Sequence, residues 1–533
     1  MKVASIAAMT AVVLSLGAVP VHAEMDKEAV AGALLLLGAA APSICPIDRN
    51  VPAAVASRLD ATLRMVVDDQ AETAAMLGYA PGAELFVRSP HWTYHRAAGT
   101  TDLATGAPLI CGAPFQIGSN TKMMTAVVLM QLVEEGLLSL DDLLASHLPD
   151  IAAALPHGEE ITIRQLANHT SGVFSYTDNA ANGAPGIMEG ALTDPGLLAR
   201  DYEPRDLVQF AIDNGEPSFD PGAEGQWAYS NTGYVLIGMI LEKTTGQPLE
   251  ELFRDRIFDP LGMKDTVLWN AVPAPEFGLP RSYYQPPFDI ETSGWNMAQG
   301  WAAGGVLSIS ADMDLFMRGL LSGSLYDDPA TLTAMTDGGP AGAGFIRYGI
   351  GIGKKPGGFW GHGGQTLGFE SDIGMFRDSD TSLVLWTNSA SNLASLGSTL
   401  VLGALDEADA LNAQDDGIGA LAGTRWAWVS KLDGDGQTVT IGEPERYTIS
   451  FQDGGDLALG ADCNRFLGHY TVQDDTLSLE LGRSTKALCP PDSLDDRFQH
   501  DLQAVTGFKR DGDTLVLVSE TSGQSLQFAL RGE

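Results

Sequence analysis

The chain has 533 residues, of which 44% are apolar and 19% charged, so it reads as globular, with length for more than one core. Its 68 acidic and 31 basic residues leave a formal charge of −37, a field that repels phosphate backbones and anionic lipid heads. Nucleic-acid binding is therefore disfavoured, and a solvated acidic surface is the plain reading of that charge.

Taken in chain order, "MKVASIAAMTAVVLSLGAVPVHA" has a lysine, an apolar run and small residues up to Ala23. This pattern predicts a cleaved secretory signal over residues 1–23. No cysteine follows at once to carry a lipid, so a soluble periplasmic or secreted product is expected. In the N-terminal segment 24–50, the apolar stretch from Ala29 to Pro42 is shorter than the ~18 residues a membrane span needs. It predicts a docked or mobile helix, and no membrane span is expected in the mature chain. Four cysteines, Cys45, Cys111, Cys463 and Cys489, make disulfides plausible in an exported chain. Three pairings are open; proximity favours Cys463 with Cys489, which would leave Cys45 to Cys111.

From Val51 to Asp68 the apolar spacing predicts a helix, and "GAELFVRS" and "HWTYHRAAG" predict paired strands. Helical patterns follow from Thr121, in "LSLDDLLASHLPDI" and in "ITIRQLANHTSG". The segment from Phe174 to about Asp201, dense in Gly, Asn, Ala and Pro, predicts loops. Helices are expected again at "TGYVLIGMILEKTTG", "LEELFRDRIFDPLG" and "SADMDLFMRGLLSG", then strands at "RYGIGIG", "GFWGHGG", "GFESDIGMF" and "TSLVLWTNS", closed by a helix over "NLASLGSTLVLGALDEA". Strands at both ends with helices between them predict one α+β domain over 51–408, its sheet assembled from both ends. A small, acidic linker is expected at 409–423, then a mostly β domain at 424–533.

Three clusters carry chemistry. In "QIGSNTKMMTAVVLMQ", Ser119 precedes a helical run and Lys122 lies three residues on, on the same face. A serine hydroxyl needs a base to become a nucleophile, and the helix N-terminus offers N–H groups to an oxyanion. Serine is also a common helix cap, so the pair alone is weak. In "EGQWAYSNTGYV", Tyr229 could pass a proton to a leaving group, and the Asn231 amide could bind Lys122 and a substrate carbonyl. A buried tyrosine beside a capping asparagine is the plain alternative. In "GFWGHGGQTLGFES", His362, Gly363 and Gly364 sit on an expected edge strand where a substrate backbone could approach, with Gln365 offering an N–H. A turn with an incidental histidine is the alternative there.

In this order the three clusters resemble the penicillin-recognising serine hydrolases, a family that includes class C β-lactamases, D-alanyl-D-alanine carboxypeptidases, D-amino-acid peptidases and related esterases. The resemblance covers residues 51–408 and extends to intervening blocks such as "FDPGAEGQWAYSNTGYVLIG" and "IFDPLGMKDT". It implies a β-lactamase/transpeptidase-like α+β fold, an antiparallel sheet with flanking helices and an all-helical subdomain. It further implies Ser119 as the acylated nucleophile, Lys122 as base or relay and Tyr229 as a second acid/base. Asn231, His362, Gly363 and Gly364 would bind substrate, and the Ser119 and Gln365 N–H groups would form the oxyanion hole. His169, in "NHTSG", falls in a family block and is expected to be structural. No metal or organic cofactor is required, and the partner is a small-molecule or short-peptide substrate.

Histidine at 362, where the family also uses lysine, is mostly neutral at pH 7 with a pKa near ~6.5. Efficient penicillin hydrolysis is thereby disfavoured; a D-alanyl-D-alanine carboxypeptidase-like or esterase-like activity is expected, with a β-lactamase or a weak penicillin-recognising sensor as alternatives. No G-x-S-x-G elbow or H-E-x-x-H zinc motif is present. From "FQDGGDLALGADCNRFLGHY" to "FQHDLQAVTGFKRDGDTLVLV" the chain resembles the META domain, in which a Cys-Asn pair and a later Thr-x-x-x-Cys recur, matched here by Cys463-Asn464 and Thr485 with Cys489. A disulfide closing that loop would add roughly 3 kcal/mol to a small β domain.

Overall fold

A computed structural model of the protein describes residues 42–68, 79–284, 290–391, 393–407, 421, 424–433, 437–452, 456–473, 476–485, 489–490, 493–511, 514–519 and 523–531. The expected signal, nearly all of the stretch from Ala29 to Pro42, and the expected linker apart from Leu421 lie outside these residues. The described residues up to 407 gather into one compact unit and those from 421 into another.

In the first unit, the alternating and fully apolar runs form β1 (Ser43–Ile44), β2 (Gly82–Arg88), β3 (Thr93–Asp102), β4 (Phe359–Gln365), β5 (Glu370–Phe376) and β6 (Thr381–Thr387). Their order is β1-β3-β2-β6-β5-β4, continuing into short strands at 353–354, 347–348 and 339–340. Every neighbour is antiparallel, and β2 pairs with β6 across nearly three hundred residues, so the sheet is assembled from both ends of the segment. β5 and β6 are buried at every position, which requires cover on both faces. One face packs Leu85, Val87, Leu383 and Leu385 against α1 (Ala53–Val67) and α5 (Leu393–Glu407). The other face meets the larger core, which includes α2 (Thr121–Glu134), α3 (Asn231–Thr245) and α4 (Ser310–Ser322). Residues of α2 from Thr121 to Met130 are all buried, as expected for a helix apolar all round.

Two sequence expectations change. "RYGIGIG" is not one strand but two, Arg347–Tyr348 and Gly353–Lys354, folded back on each other. Gly351, at φ +74°, makes that turn against α2, where an added Cβ would lie 2.4 Å from the Ala126 Cβ. The stretch expected as loop contains a helix, Ile187–Thr193, and another follows at Pro204–Asn214, where Glu203 and Asp206 form a capping box ahead of an amphipathic run.

Among the described residues of the second unit nine antiparallel strands run from Thr424–Leu432 to Gln524–Leu530, and the first also pairs with the last, closing the sheet on itself. Strands at Asn464–Gln473 and Gly507–Asp511, and the helix Asp495–Gln503, add to those expected from the sequence. Phe498 of that helix stacks on Trp428 at 5.0 Å between ring centroids. Both cysteine pairs are bonded, Cys45 with Cys111 and Cys463 with Cys489. No helix among the described residues is long and apolar enough to cross a membrane.

Candidate active site

Ser119 lies in a single 3-10 turn, Gly118–Asn120, that feeds directly into α2. It does not act as a capping side chain: neither Ser119 nor Asn120 accepts a capping hydrogen bond from the helix. The Asn120 amide instead donates to the Ile117 carbonyl at 2.9 Å and to Ser371 Oγ on β5 at 2.9 Å, and Ser371 Oγ donates to the same carbonyl at 3.1 Å. This clasp fixes the turn to the sheet.

The turn and β4 meet backbone to backbone. A Cβ on Gly364 would come 1.9 Å from the Ile117 oxygen, and one on Gly118, itself at φ +54°, would come 2.6 Å from the Gln365 nitrogen. Only glycine fits at either place, and the Gln365 N–H is thereby brought beside the Ser119 turn. At Phe359–Gly361 the strand is paired on both sides, whereas 362–365 pair only with β5, so the edge expected for the whole motif exists in that half alone.

Lys122, the second residue of α2, is fully buried. Its Nζ lies 2.6 Å from Asn231 Oδ1, 2.8 Å from the Ala303 carbonyl and 3.1 Å from Ser119 Oγ. It has no ion-pair partner among the described residues, and burial holds its amine well below the ordinary lysine value. The rings of Tyr229 and Tyr234 face it at 4.8 and 5.4 Å. Such faces favour an ammonium by only about 0.5–2 kcal/mol, and the desolvation of a fully buried amine outweighs them.

Asn231 is the first residue of α3, and Ser230 just before it caps the helix, accepting from the Gly233 N–H. With capping done by its neighbour, the Asn231 amide is free to face Lys122 with its oxygen while its Nδ2 donates to Thr177 Oγ1 at 2.9 Å. The Asn231 N–H donates to Ser175 Oγ at 3.1 Å, and the two hydroxyls are 2.9 Å apart. The Tyr229 hydroxyl is buried with no full hydrogen bond among the described residues. Burial raises its pKa above the usual phenol value, and the Ser119 hydroxyl pulls it partly back, so it remains a protonated donor near the nucleophile.

His362 is placed differently from a substrate ligand. Its ring is 2% exposed and is surrounded by Tyr348, Phe345 and Tyr229. Nε2 lies 2.9 Å from the Tyr348 hydroxyl and Nδ1 lies 2.5 Å from the Gly363 carbonyl, so both ring nitrogens are engaged. Burial lowers its pKa to about 3. Lys355, whose Nζ would lie 4.0 Å from a Cβ on Gly363, is held by Asp372 at 2.5 Å. The sequence clusters thus come together around Ser119, except that the His362 ring offers no free nitrogen. Sequence reading did not single out the Ala303 carbonyl, the hydroxyls of Ser175 and Thr177, or Tyr348.

A serine turn, a desolvated lysine and a tyrosine ahead of a helix meet on an α+β scaffold of the serine hydrolase class. The chain belongs to the beta-lactamase family: the family model of that description matches residues 69–405, and a META domain model matches 419–533. Among solved structures it is similar to a D-stereospecific amidohydrolase from a Streptomyces species, at 32% identity and a TM-score of 0.55, covering 65% of this chain and 97% of that one. Among curated proteins it is similar to esterase EstB of Burkholderia gladioli, 30% identical over 236 residues, 44% of this chain and 56% of that protein. It is also similar to penicillin-binding protein 4* of Bacillus subtilis, 32% identical over 183 residues, 34% of this chain and 37% of that protein. The chain spans less than two thirds of the length of these curated relatives.

Proposed function

We propose that the protein is an exported hydrolase that cleaves an amide or ester through an acyl-enzyme on Ser119, with amidase-like or esterase-like substrates whose leaving group carries no carboxylate. The observation that carries the mechanism is the set of partners around Lys122. A neutral amine has two hydrogens and one lone pair. Asn231 Oδ1 and the Ala303 carbonyl only accept, so they take the two hydrogens, and the lone pair is left to the Ser119 hydroxyl.

In this reading Lys122 removes the Ser119 proton as Oγ attacks the substrate carbonyl. The resulting ammonium then has three acceptors for three hydrogens in the same positions, so the protein need not rearrange. The Ser119 and Gln365 N–H groups bind the oxyanion. Tyr229, still protonated, gives its proton to the leaving group and recovers one through the Ser119 and Lys122 cluster. Water then reverses the sequence to release the acid. No step calls on a metal or organic cofactor.

The leaving-group preference rests on charge. With His362 neutral and Lys355 held by Asp372, neither side chain offers a carboxylate at this motif a free positive charge. The resemblance to a D-stereospecific amidohydrolase and to an esterase supports the same side of the family. Export is supported by the two disulfides, which persist in oxidising compartments. The test compares one D-alanyl-D-alanine peptide with its C-terminal amide. Equal or better kcat/KM for the amidated form is expected, and a tenfold preference for the free carboxylate would overturn the substrate reading.

A further inference from the structure

His169 belongs to none of the three motif clusters and is fully buried in the helical half of the first unit. It follows the short helix Ile163–Ala167 and adopts a left-handed backbone, φ +64°. Glycine is the ordinary occupant of that conformation, so a large side chain held there points to a use for the side chain. Its carbonyl accepts the N–H of Ala228 at 3.1 Å, and its Nδ1 accepts the N–H of Ser230 at 3.2 Å. One residue thus grips the chain on both sides of Tyr229. The imidazole also lies 4.4 Å from the Tyr229 ring, tilted by 41°, inside a cage completed by Trp227, Tyr234 and Tyr348.

We propose that His169 is a positioning residue for the acid/base phenol, setting the reach of the Tyr229 hydroxyl through the Nδ1 bond to Ser230 N–H and the ring contact. The assignment rests on the reading of Tyr229 as the donor to the leaving group. Its chemistry needs a neutral imidazole whose Nδ1 lone pair is free to accept. Burial keeps His169 in that form, its pKa well below the ordinary value. With Nδ1 accepting, the ring proton sits on Nε2, which has no hydrogen-bond partner among the described residues. The contact on Tyr229 is therefore one of shape and of a fixed tautomer.

The consequence is selective. A phenol out of place harms substrates whose leaving group must be protonated, such as amides. It spares p-nitrophenyl esters, whose leaving group departs as an anion. The experiment measures kcat on a D-amino-acid amide and on the p-nitrophenyl ester of the same acyl group for wild type, His169→Gly, His169→Asn, His169→Gln and Tyr229→Phe. The ratio of the two rates does not depend on how much of each variant folds. Asparagine tolerates the left-handed backbone and carries its Oδ1 where Nδ1 stands, so His169→Asn is expected to keep the wild-type ratio within about threefold. His169→Gly and His169→Gln are expected to lower the amide rate about tenfold or more relative to the ester, in the direction of Tyr229→Phe, with KM little changed. Should His169→Gly fail to fold, the contrast between asparagine and glutamine carries the same test. Equal losses on both substrates in the His169 variants, beside a selective loss in Tyr229→Phe, would overturn the positioning role alone. The absence of a selective loss in Tyr229→Phe would overturn the reading of Tyr229, and the proposal with it.

Discussion

The two units each bury a lysine, and the difference between the two sites shows what makes a buried amine reactive. Lys122 has only uncharged partners, an amide oxygen, a carbonyl and a hydroxyl. Lys431 of the second unit lies 2.8 Å from Asp501 and 3.1 Å from Asp433, its side chain 6% exposed. Both have lost water, but only Lys431 has gained counter-charges. Burial alone penalises the ammonium; a carboxylate at contact distance compensates for it. The first arrangement favours a base, and the second an ion pair that ties the strand Thr424–Leu432 to the helix Asp495–Gln503.

The largest expected effect breaks the base. Lys122→Met and Lys122→Arg should both lower the acylation rate by about 100-fold to 10,000-fold in stopped-flow assays, arginine failing because a guanidinium does not give up its proton. Lys431→Met should leave acylation unchanged and instead destabilise the second unit by about 2–4 kcal/mol, because Asp501 loses its closest partner and keeps only Arg497, at 3.7 Å. Urea unfolding followed by tryptophan fluorescence reads this, and a loss of acylation would break the contrast.

The same logic reaches Glu370, buried on β5, whose carboxyl burial pushes up to about 7 against hydrogen bonds from the start of α5. The folded state keeps a proton there that the unfolded chain loses above its ordinary value, so Glu370 lowers stability as pH rises from 4.5 to about 7. His169 and His362 act the other way. Their folded pKa values are depressed, so stability falls as pH drops below about 6.5, for His362 down to about 3. Glu370→Gln removes the opposing contribution and should make the stability loss between pH 6.5 and 4.5 steeper than in wild type, by about 3 kcal/mol over the full window. The smallest effect sharpens the comparison: Lys431→Met with Asp501→Leu removes the closest pair, leaves Asp433 and Arg497 to each other at 3.6 Å, and should cost less than Lys431→Met alone.

Much of the first unit is legible in the sequence because its strands are long and apolar and its chemical residues recur at motif spacing. Ser119, Lys122, Tyr229 and Asn231 could be named from pattern, since each has to sit at a helix start. The Ala303 carbonyl could not, because a backbone oxygen leaves no mark in the choice of residue. His362 was legible as a motif residue but not as an engaged one, since its partner Tyr348 comes from a segment that reads as a single strand and folds as two. The helix at Ile187–Thr193 is hidden among Gly, Ala and Pro, whereas the capping box at Glu203 and Asp206 was a usable signal. In the second unit the strand Asn464–Gln473 is interrupted by Gly468, where a Cβ would meet the Glu480 carbonyl at 2.2 Å and the pairing register shifts. Its alternation is blurred for that reason.

In the proposed mechanism Lys122 is a neutral amine when Ser119 attacks. The pH dependence of the pre-steady-state acylation rate with a p-nitrophenyl ester tests it most directly. The rate is expected to have reached its plateau well below the ordinary lysine value, because burial has already taken the proton from the lysine. A rate still rising tenfold per unit between pH 8 and 10, toward the ordinary lysine value near 10.4, would contradict it.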